Sequence, residues 1–549
     1  MEIDRNVWPE RMPRSLPLPE TSLHYNLAVS AERYPARPAI LYYGTEISYS
    51  RLYAETEALA GFLQKEFGVR KGDRVMLYLQ NSPQFVAGYY AALRAGAVVV
   101  PVNPMLLGEE LSHYADDSGA RVALAGAELA GRISPLVEEG RLDHLVVARY
   151  ADYLEEETDL AVPESAYAAL PEGVGVPWRE ALSAGSVPDP PAVGPEDLAC
   201  LPYTSGTTGR PKGCRHTHRT VQANVVGAAV FNGVTQASVA LATLPFFHVT
   251  GMQHSMNAPV YAGGAMVLMT RWDRETAAEL VERHRVTHWT NISTMVVDFL
   301  ADPEIERRDL SSLQLVGGGG AALPAAVGER LERLAGVRYA EGYGLSETIS
   351  QTHMNPPHRP KLQCLGVPAF DVDARIADPE TLEELGPGEQ GEIVVSGPQV
   401  MLGYWNRPEA DAEVFFERGG RRFLRTGDLG VRDEEGYFFL VDRLKRMINA
   451  SGYKVWPAEV ESVLYGHPAV REACVIGVPD ERAGEAVRAV VVLNESHESV
   501  SGEEISEWAK ERMAAYKYPR RVEISDALPK SASGKILWRE LQERYAPRG

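Results

Sequence analysis

The sequence predicts a mixed α/β protein, with a large multi-subdomain N-terminal part rich in parallel strands and a small α+β domain at the C-terminus. Short β-branched runs alternate with helical patterns in the first half, at residues 38–43, 52–67, 73–79, 84–95 and 97–102. Such alternation is typical of parallel strands covered by helices. The C-terminal part shows a compact order of helix, strand, strand and helix, at residues 458–465, 473–478, 487–493 and 503–514. A domain boundary near Asp442 is therefore predicted.

Further strand-like runs lie at residues 287–290, 313–316 and 337–340, and the strand ends there continue into Gly-rich segments. Ligands of α/β folds bind at the carboxyl ends of strands. We therefore expect the functional residues in these segments.

The composition excludes several classes of protein. At 549 residues, 45% hydrophobic and 24% charged, the chain predicts a soluble globular protein of at least two domains. A net charge of -20 argues against a nucleic-acid-binding protein. The four cysteines form no C-x-x-C pair, the first residues have no apolar core, and no stretch is apolar over the length of a membrane span. We expect a cytoplasmic protein without an integral membrane segment, and leave peripheral membrane contact and a homodimer open.

Residues 203–213, Tyr-Thr-Ser-Gly-Thr-Thr-Gly-Arg-Pro-Lys-Gly, have the composition of a phosphate-binding loop between a strand and a helix. Glycines let the backbone approach a ligand, hydroxyl and amide groups donate hydrogen bonds, and Lys212 supplies positive charge. A flexible turn is the alternative, which the length of the run disfavours. The segment lacks the Gly-Lys-Ser/Thr ending of a Walker A loop, so a P-loop ATPase is disfavoured.

This segment resembles the phosphate loop of the acyl-adenylate-forming superfamily, which includes acyl-CoA synthetases, luciferase and peptide-synthetase adenylation domains. Further motifs follow in that family's order, at residues 317–322, 343–348, 426–428, 442–445, 451–454 and 529–535. The resemblance spans most of the chain and is greatest to fatty acyl-CoA synthetases. It implies a large domain at 1–441, a hinge at 442–447 that contains Lys445, and a small mobile domain at 448–549.

The resemblance also implies an ATP- and AMP-binding site. Its residues are Thr204, Ser205, Gly206, Thr207, Thr208, Gly209, Lys212, Gly319, Gly320, Ala321, Tyr343, Gly344, Ser346, Thr348, Asp428 and Arg443. The glycines would form a wall for adenine, Tyr343 a stacking ring, and Asp428 an acceptor for ribose hydroxyls. Without the resemblance the glycines would indicate a tight turn. Glu347 is assigned as the ligand of Mg²⁺ beside the phosphates.

Two half-reactions are implied, with the small domain rotating between them. Lys535 would bridge the carboxylate of the acid and the α-phosphate of ATP as acyl-AMP forms. Gly452 and Tyr453 would then face the pantetheine of CoA as the thioester forms. His248 would separate the acyl pocket from the thiol entrance, although a packed core histidine is the alternative. The pair His216 and His218 lacks metal-ligand spacing and predicts packing or surface roles.

The identity of the acid and of the thiol rests on a few residues. Phe246 and Phe247 stand where amino-acid adenylation domains carry an Asp, so an amino acid is disfavoured. Only residues 536–549 follow Lys535, so we expect the thiol to be external, with CoA as the simplest choice. Segments 249–257 and 291–296 are mostly uncharged and predict a pocket for an apolar chain. We expect a medium- or long-chain fatty acid. An aryl or other carboxylic acid, an acyl-AMP ligase that loads a carrier protein, and a noncatalytic binding protein are the alternatives.

Overall fold

The computed structural model describes residues 7–204, 210–319, 323–443, 446–450, 453–480, 484–494, 500–530 and 536–545, with only the backbone at 443, 453 and 454. Contacts divide the chain into two compact units, one of residues 1–373 and 395–424 and the other of residues 374–394 and 425–549. In the described part of the chain, no helix is both long and apolar enough to cross a membrane.

The N-terminal elements confirm the predicted alternation of strands and helices. In chain order they are α1 (His24–Arg33), β1 (Pro38–Tyr42), β2 (Thr45–Ser48), α2 (Tyr49–Lys65), β3 (Arg74–Tyr78), α3 (Pro83–Arg94), β4 (Val98–Pro101), α4 (Gly108–Ser118), β5 (Val122–Gly126), α5 (Ala130–Glu138), β6 (His144–Ala148), β7 (Val176–Pro177), α6 (Trp178–Ser183), β8 (Leu198–Cys200) and β9 (His216–Thr217). One sheet has the order β7-β6-β5-β3-β4-β8-β9, parallel except for the pair β8 and β9. Serine caps begin α2 and α3: Ser48 Oγ accepts a hydrogen bond from Arg51 N, and Ser82 Oγ from Phe85 N.

The next elements build the sheet that carries the Gly-rich motifs. They are α7 (His218–Phe231), β10 (Val239–Ala242), a π-helix (Gly251–Asn257), α8 (Ala258–Ala262), β11 (Ala265–Leu268), α9 (Arg274–Arg283), β12 (His288–Asn291), α10 (Ser293–Leu300), β13 (Leu315–Gly318), α11 (Ala325–Ala335), β14 (Tyr339–Leu345), β15 (Ser350–Met354) and β16 (Val367–Pro368). The order is β16-β15-β14-β13-β12-β10-β11-β1-β2, parallel from β14 to β1 and antiparallel at both edges. Parallel strands align their carboxyl ends, so β12, β13 and β14 end at one edge of the sheet.

A third sheet follows in the sequence. Its elements are β17 (Asp373–Ala377), β18 (Gln390–Ser396), α12 (Pro408–Val414), β19 (Phe415–Arg418), β20 (Arg421–Arg432) and β21 (Phe438–Arg443). The strand order is β17-β18-β20-β19, and β21 pairs with β20. The antiparallel pairing of β20 and β21 places Asp428 opposite Arg443.

The C-terminal elements form an α+β domain, as predicted. They are β22 (Ile448–Ala450), β23 (Tyr453–Val455), α13 (Pro457–Leu464), β24 (Val470–Asp480), β25 (Gly484–Leu493), α14 (Gly502–Lys510), β26 (Arg521–Ile524) and α15 (Trp538–Tyr545). The sheet order is β23-β22-β25-β24, with β26 parallel to β25. Helix α14 ends earlier than the predicted residue 514, in a tight turn where Arg512 N donates to Ala509 O at 3.0 Å. The hinge at 442–447 and the mobility of the small domain stay predictions.

Candidate active site

The two ends of the phosphate loop lie side by side. Tyr203 and Gly213 form an antiparallel bridge. Thr204 N donates to Lys212 O at 2.9 Å, and Lys212 N donates to Thr204 Oγ1 at 3.3 Å. Ser205, Gly206, Thr207, Thr208 and Gly209 lie outside the described residues. The structure therefore brings Thr204 and Lys212 together at what we call the neck of the loop, residues 203–204 and 211–213.

A second segment, residues 402–405, pairs with the chain that leaves the neck. Trp405 N donates to Gly213 O at 2.7 Å, and Arg215 N donates to Gly403 O at 2.9 Å. This pairing carries Tyr404 to the predicted site. Its hydroxyl donates to Glu347 Oε1 at 2.8 Å, and Lys212 Nζ lies 4.6 Å from the centre of its ring. Tyr404 thus joins the predicted phosphate-binding cation to the predicted metal ligand, and sequence reasoning missed it.

Glu347 lies in a strained turn between β14 and β15. The turn is the 3-10 helix Ser346–Thr348, and Ile349 and Ser350 follow it with φ values of 49° and 131°. A left-handed backbone is costly for a β-branched residue such as Ile349. Thr348 Oγ1 is buried and donates to Ser350 O at 2.7 Å, which holds this conformation. The backbone that carries Glu347 is therefore held in one conformation.

His216 stabilises the turn that contains Glu347. The ring is fully buried, and Nε2 donates to Ser346 O at 2.8 Å because a carbonyl oxygen can only accept. Burial lowers the pKa of His216 to about 4, so the ring is neutral at pH 7. The predicted packing role of His216 thus takes the form of a contact that positions Ser346. His218 is also buried, and its Nδ1 accepts a hydrogen bond from Leu23 N at 3.1 Å.

Two residues of the Gly-rich motif, Gly317 and Gly318, lie in a strand rather than in a turn. Gly317 and Gly318 end β13, between β12 and β14. A Cβ at Gly317 would lie 2.2 Å from Ala340 O, and one at Gly318 would lie 1.8 Å from Asn291 O. Close strand packing therefore requires these glycines, and this corrects the tight turn that they would indicate alone. A Cβ at Gly319 would lie 2.5 Å from Gly342 O, and Gly320 and Ala321 lie outside the described residues.

Tyr343 and Gly344 continue along β14 beside these glycines. The Tyr343 ring is half-buried, with its centroid 5.6 Å from that of the His353 ring at an interplanar angle of 59°. A Cβ at Gly344 would lie 1.7 Å from Ser350 O, so the close approach of β15 requires glycine here. Stacking of Tyr343 on adenine stays a prediction.

His248 lies in a turn that a buried asparagine holds. Asn81 Nδ2 donates to Leu244 O at 2.9 Å, and Phe246 N donates to Asn81 Oδ1 at 2.8 Å. His248 is half-buried, and its Nδ1 accepts from Thr250 N at 3.4 Å. The π-helix Gly251–Asn257 follows, a rare conformation that is frequent at functional sites.

The predicted pocket segment is uncharged but not apolar. Gln253 and Asn257 are fully buried in the π-helix, and Tyr90 Oη donates to Asn257 Oδ1 at 2.8 Å. Within the described chain, Gln253 Nε2 is buried without a hydrogen-bond partner. His254 is half-buried, and burial lowers its pKa to about 4 although Gln351 opposes the shift. A pocket for an acyl chain along segments 249–257 and 291–296 stays a prediction.

The Thr426-Gly427-Asp428 motif lies within strand β20, in the second unit. Gly427 has a φ of 70°, and its N donates to Glu392 Oε1 at 2.9 Å. Arg425 holds the other oxygen of the buried Glu392 carboxylate at 2.7 Å. This ion pair holds the part of β20 that contains the buried Asp428, and sequence reasoning missed it. Arg443 lies opposite Asp428 in the backbone register.

Anchoring contacts surround the predicted hinge within the second unit. Asp442 Oδ2 accepts a hydrogen bond from Ala458 N at 2.6 Å, in the first turn of α13. Arg446 pairs with Glu461, whose Oε1 accepts from Val475 N at 2.7 Å. Lys445, Gly452 and Lys535 lie outside the described residues, and Tyr453 is described only as backbone in β23. The roles assigned to these four residues stay predictions.

Comparison with known proteins identifies the family. The model of the AMP-binding enzymes matches residues 27–405, and that of the AMP-binding enzyme C-terminal domain matches residues 459–535. The chain belongs to this family. It is 37% identical to a long-chain-fatty-acid–CoA ligase of Bacillus subtilis (strain 168), over 98% of this chain and 97% of that protein. It is 38% identical to a feruloyl-CoA synthase of Amycolatopsis sp., over 93% of this chain and 96% of that protein.

A solved structure agrees with this assignment. ATP-bound MatB from Rhodopseudomonas palustris matches with a TM-score of 0.84 and 28% identity, over 96% of this chain and 99% of that one. The chain is therefore an AMP-forming acid–CoA ligase of the acyl-adenylate-forming superfamily, most like the fatty acyl-CoA synthetases, with ATP and CoA as substrates.

Proposed function

We propose that this ligase activates medium- or long-chain fatty acids. The observation that carries the proposal is the similarity to the Bacillus subtilis long-chain-fatty-acid–CoA ligase, which extends over 98% of the chain. The acid carboxylate attacks the α-phosphate of ATP, giving acyl-AMP and pyrophosphate. The CoA thiol then attacks the acyl carbonyl, giving acyl-CoA and AMP.

The residues assigned to the first half-reaction have separate roles in binding ATP and in the transfer of its α-phosphate. Lys212 supplies positive charge, and the ring of Tyr404 below it limits where the ammonium group lies. Thr204 is fixed beside Lys212 through the neck. Asp428, held within strand β20, accepts hydrogen bonds from the ribose hydroxyls. Lys535 stabilises the charge that develops between carboxylate and α-phosphate.

The residues around Glu347 fit a magnesium ion that is shared with the substrate. In the described part of the chain no group of three or more His, Cys, Asp or Glu side chains could form a cage for a metal. Mg²⁺ commonly binds through one or two carboxylates plus substrate phosphates and water, so a single fixed carboxylate is sufficient. Glu347 would hold the ion, which would neutralise phosphate charge when bound. Tyr404, donating to Oε1, keeps the carboxylate oriented.

The second half-reaction depends on residues around the thiol path. Gly452 and Tyr453 face the pantetheine after the small domain rotates, and His248 separates the thiol entrance from the acyl pocket. Support for His248 comes from its half-buried position in a turn that Asn81 fixes. A homodimer, a cytoplasmic location and peripheral membrane contact stay predictions.

A second candidate substrate is an aryl acid with a polar substituent. Two observations favour it: the polar side chains of the π-helix, and the 38% identity to a feruloyl-CoA synthase. An unpaired buried group such as Gln253 Nε2 costs free energy that a hydrogen-bonding ligand would recover.

An acid panel tests the proposal. The purified chain would receive ATP, Mg²⁺ and CoA with medium-chain, long-chain and hydroxycinnamic acids, and acyl-CoA would be measured by mass. Fatty acyl-CoA as the main product supports the proposal, whereas hydroxycinnamoyl-CoA as the main product supports the second candidate. Acyl transfer to a carrier protein without acyl-CoA would contradict both. Absence of ATP–pyrophosphate exchange with every acid would indicate a noncatalytic binding protein.

A further inference from the structure

One face of helix α4 contacts both segments of the neck, residues 203–204 and 211–213. His113 and Asp117 lie one turn apart, so their side chains project from the same face. His113 Nε2 donates to Pro211 O at 3.0 Å, on the strand that leaves the loop. Tyr203 Oη donates to Asp117 Oδ2 at 2.8 Å, on the strand that enters it. Helix α4 therefore restrains the distance between the two segments of the neck.

Asp117 also holds the segment that bears Tyr404. Its Oδ1 accepts from Arg407 Nη2 at 2.5 Å, and its main-chain oxygen accepts from Trp405 Nε1 at 3.0 Å. Trp405 and Arg407 follow, by one and three residues, the tyrosine that contacts both Glu347 and Lys212. A single aspartate thus connects the neck to the side chain beneath the lysine.

These contacts are protected from solvent. The side chain of Asp117 is only 6% exposed, and the rings of Tyr114 and Tyr203 pack with centroids 4.3 Å apart. Burial, followed by the charge of Asp117, raises the pKa of Tyr203 well above its ordinary value, so its hydroxyl stays a donor. Hydrogen bonds to a shielded carboxylate are stronger and more directional than those on an exposed surface.

We infer that His113 and Asp117 are positioning residues for ATP. They act through the neck and through residues 404–405, and they set the place of Lys212 relative to Glu347. The inference deepens the proposed function, on which it rests for the use of ATP. It predicts that loss of either contact weakens ATP binding and leaves the acid and CoA steps unchanged.

The first test measures Mg-ATP affinity of the full-length chain by calorimetry. His113→Ala should weaken binding about three- to tenfold, the range expected for one hydrogen bond. His113→Gln retains an N–H donor and should restore the wild-type affinity. Ser112→Ala, one residue earlier on the helix, is the matched control and should bind as the wild type does.

The second test separates positioning from folding. Asp117→Asn should raise the KM for ATP in pyrophosphate exchange, while supplied acyl-AMP and CoA react at the wild-type rate. Its control is Asp116→Asn, a change of the neighbouring exposed aspartate that pairs with Arg141. Tyr203→Phe removes the hydroxyl alone and should raise the same KM, even if Asp117→Asn fails to fold.

Several outcomes would overturn the inference. They are wild-type ATP affinity in His113→Ala and Tyr203→Phe, no rescue by His113→Gln, or an equal loss in the reaction of supplied acyl-AMP. A wild-type chain that binds ATP but makes no acyl-CoA would instead refute the proposed function. The calorimetric comparison would still decide the positioning role in that case.

Discussion

The Tyr404→Phe variant removes the hydroxyl that contacts Glu347 and retains the ring beneath Lys212. The lost hydrogen bond, 2.8 Å long, has an anionic acceptor, and such bonds contribute about 1.5–3 kcal/mol. Because Glu347 is only half-buried, we take the lower end of this range. About 1.4 kcal/mol corresponds to a tenfold change in rate. We therefore expect adenylation to slow about tenfold, together with a higher magnesium requirement.

The assay is ATP–pyrophosphate exchange at varied ATP and magnesium concentrations, with thermal melts to verify folding. Tyr404→Leu removes the ring as well, and the cation–π contact with Lys212 that it deletes is worth about 0.5–1 kcal/mol more. Tyr167→Phe is a control at an exposed tyrosine and should have no effect. Wild-type exchange and magnesium dependence in Tyr404→Phe would refute the role given to the hydroxyl.

Three further predictions concern the same site and the buried histidines. Lys212→Ala should lower kcat/KM for ATP about ten- to hundredfold through the lost charge-assisted contact, without changing the melting temperature by much; unaltered ATP kinetics would remove Lys212 from the site. Glu347→Gln should raise the magnesium concentration needed for half-maximal exchange, and an unchanged magnesium titration would show the assigned ligand to be wrong. Burial lowers the pKa of His216 to about 4 and of His24 and His353 to about 3, from an ordinary 6.5. Because the pKa of each histidine is lower in the folded than in the unfolded chain, the free energy of unfolding is greatest above pH 6.5. It falls as the pH drops towards 4, by at most about 3 kcal/mol for each histidine. A melting temperature independent of pH across this window would contradict these pKa values.

The sequence predicted those parts of the site that local motifs encode. Lys212 and Glu347 stand within continuous motifs, and the structure connects them through one side chain. Tyr404 could not be predicted from a local motif, because it lies 57 residues from Glu347 along the chain. It contacts Glu347 only because residues 402–405 pair with the chain that leaves the neck. The same holds for Glu392, which accepts a hydrogen bond from Gly427 N beside Asp428 and lies 35 residues from Gly427 along the chain.

The backbone conformation of the candidate site was harder to predict than the chemical character of its residues. Gly317 and Gly318 are consistent with a turn in sequence, but the carbonyl groups of two neighbouring strands leave no room for a Cβ. The segment 249–257 is uncharged, but its composition does not reveal that a π-helix turns Gln253 and Asn257 into the interior. Strand pairing and helix type at these positions depend on tertiary contacts that no local pattern contains.

The most direct test of the account is a comparison of the two half-reactions in two variants of the C-terminal part. Lys535→Ala should abolish most acyl-AMP formation, because we propose that its charge stabilises the reaction at the α-phosphate, yet supplied acyl-AMP and CoA should still give acyl-CoA. Gly452→Leu should do the reverse, with pyrophosphate still released from ATP and acid while acyl-CoA formation falls, because a leucine side chain would obstruct the proposed path of the pantetheine. Thermal melts verify that both variants fold. Equal loss of both half-reactions in both variants would contradict the alternation of the small domain between two roles.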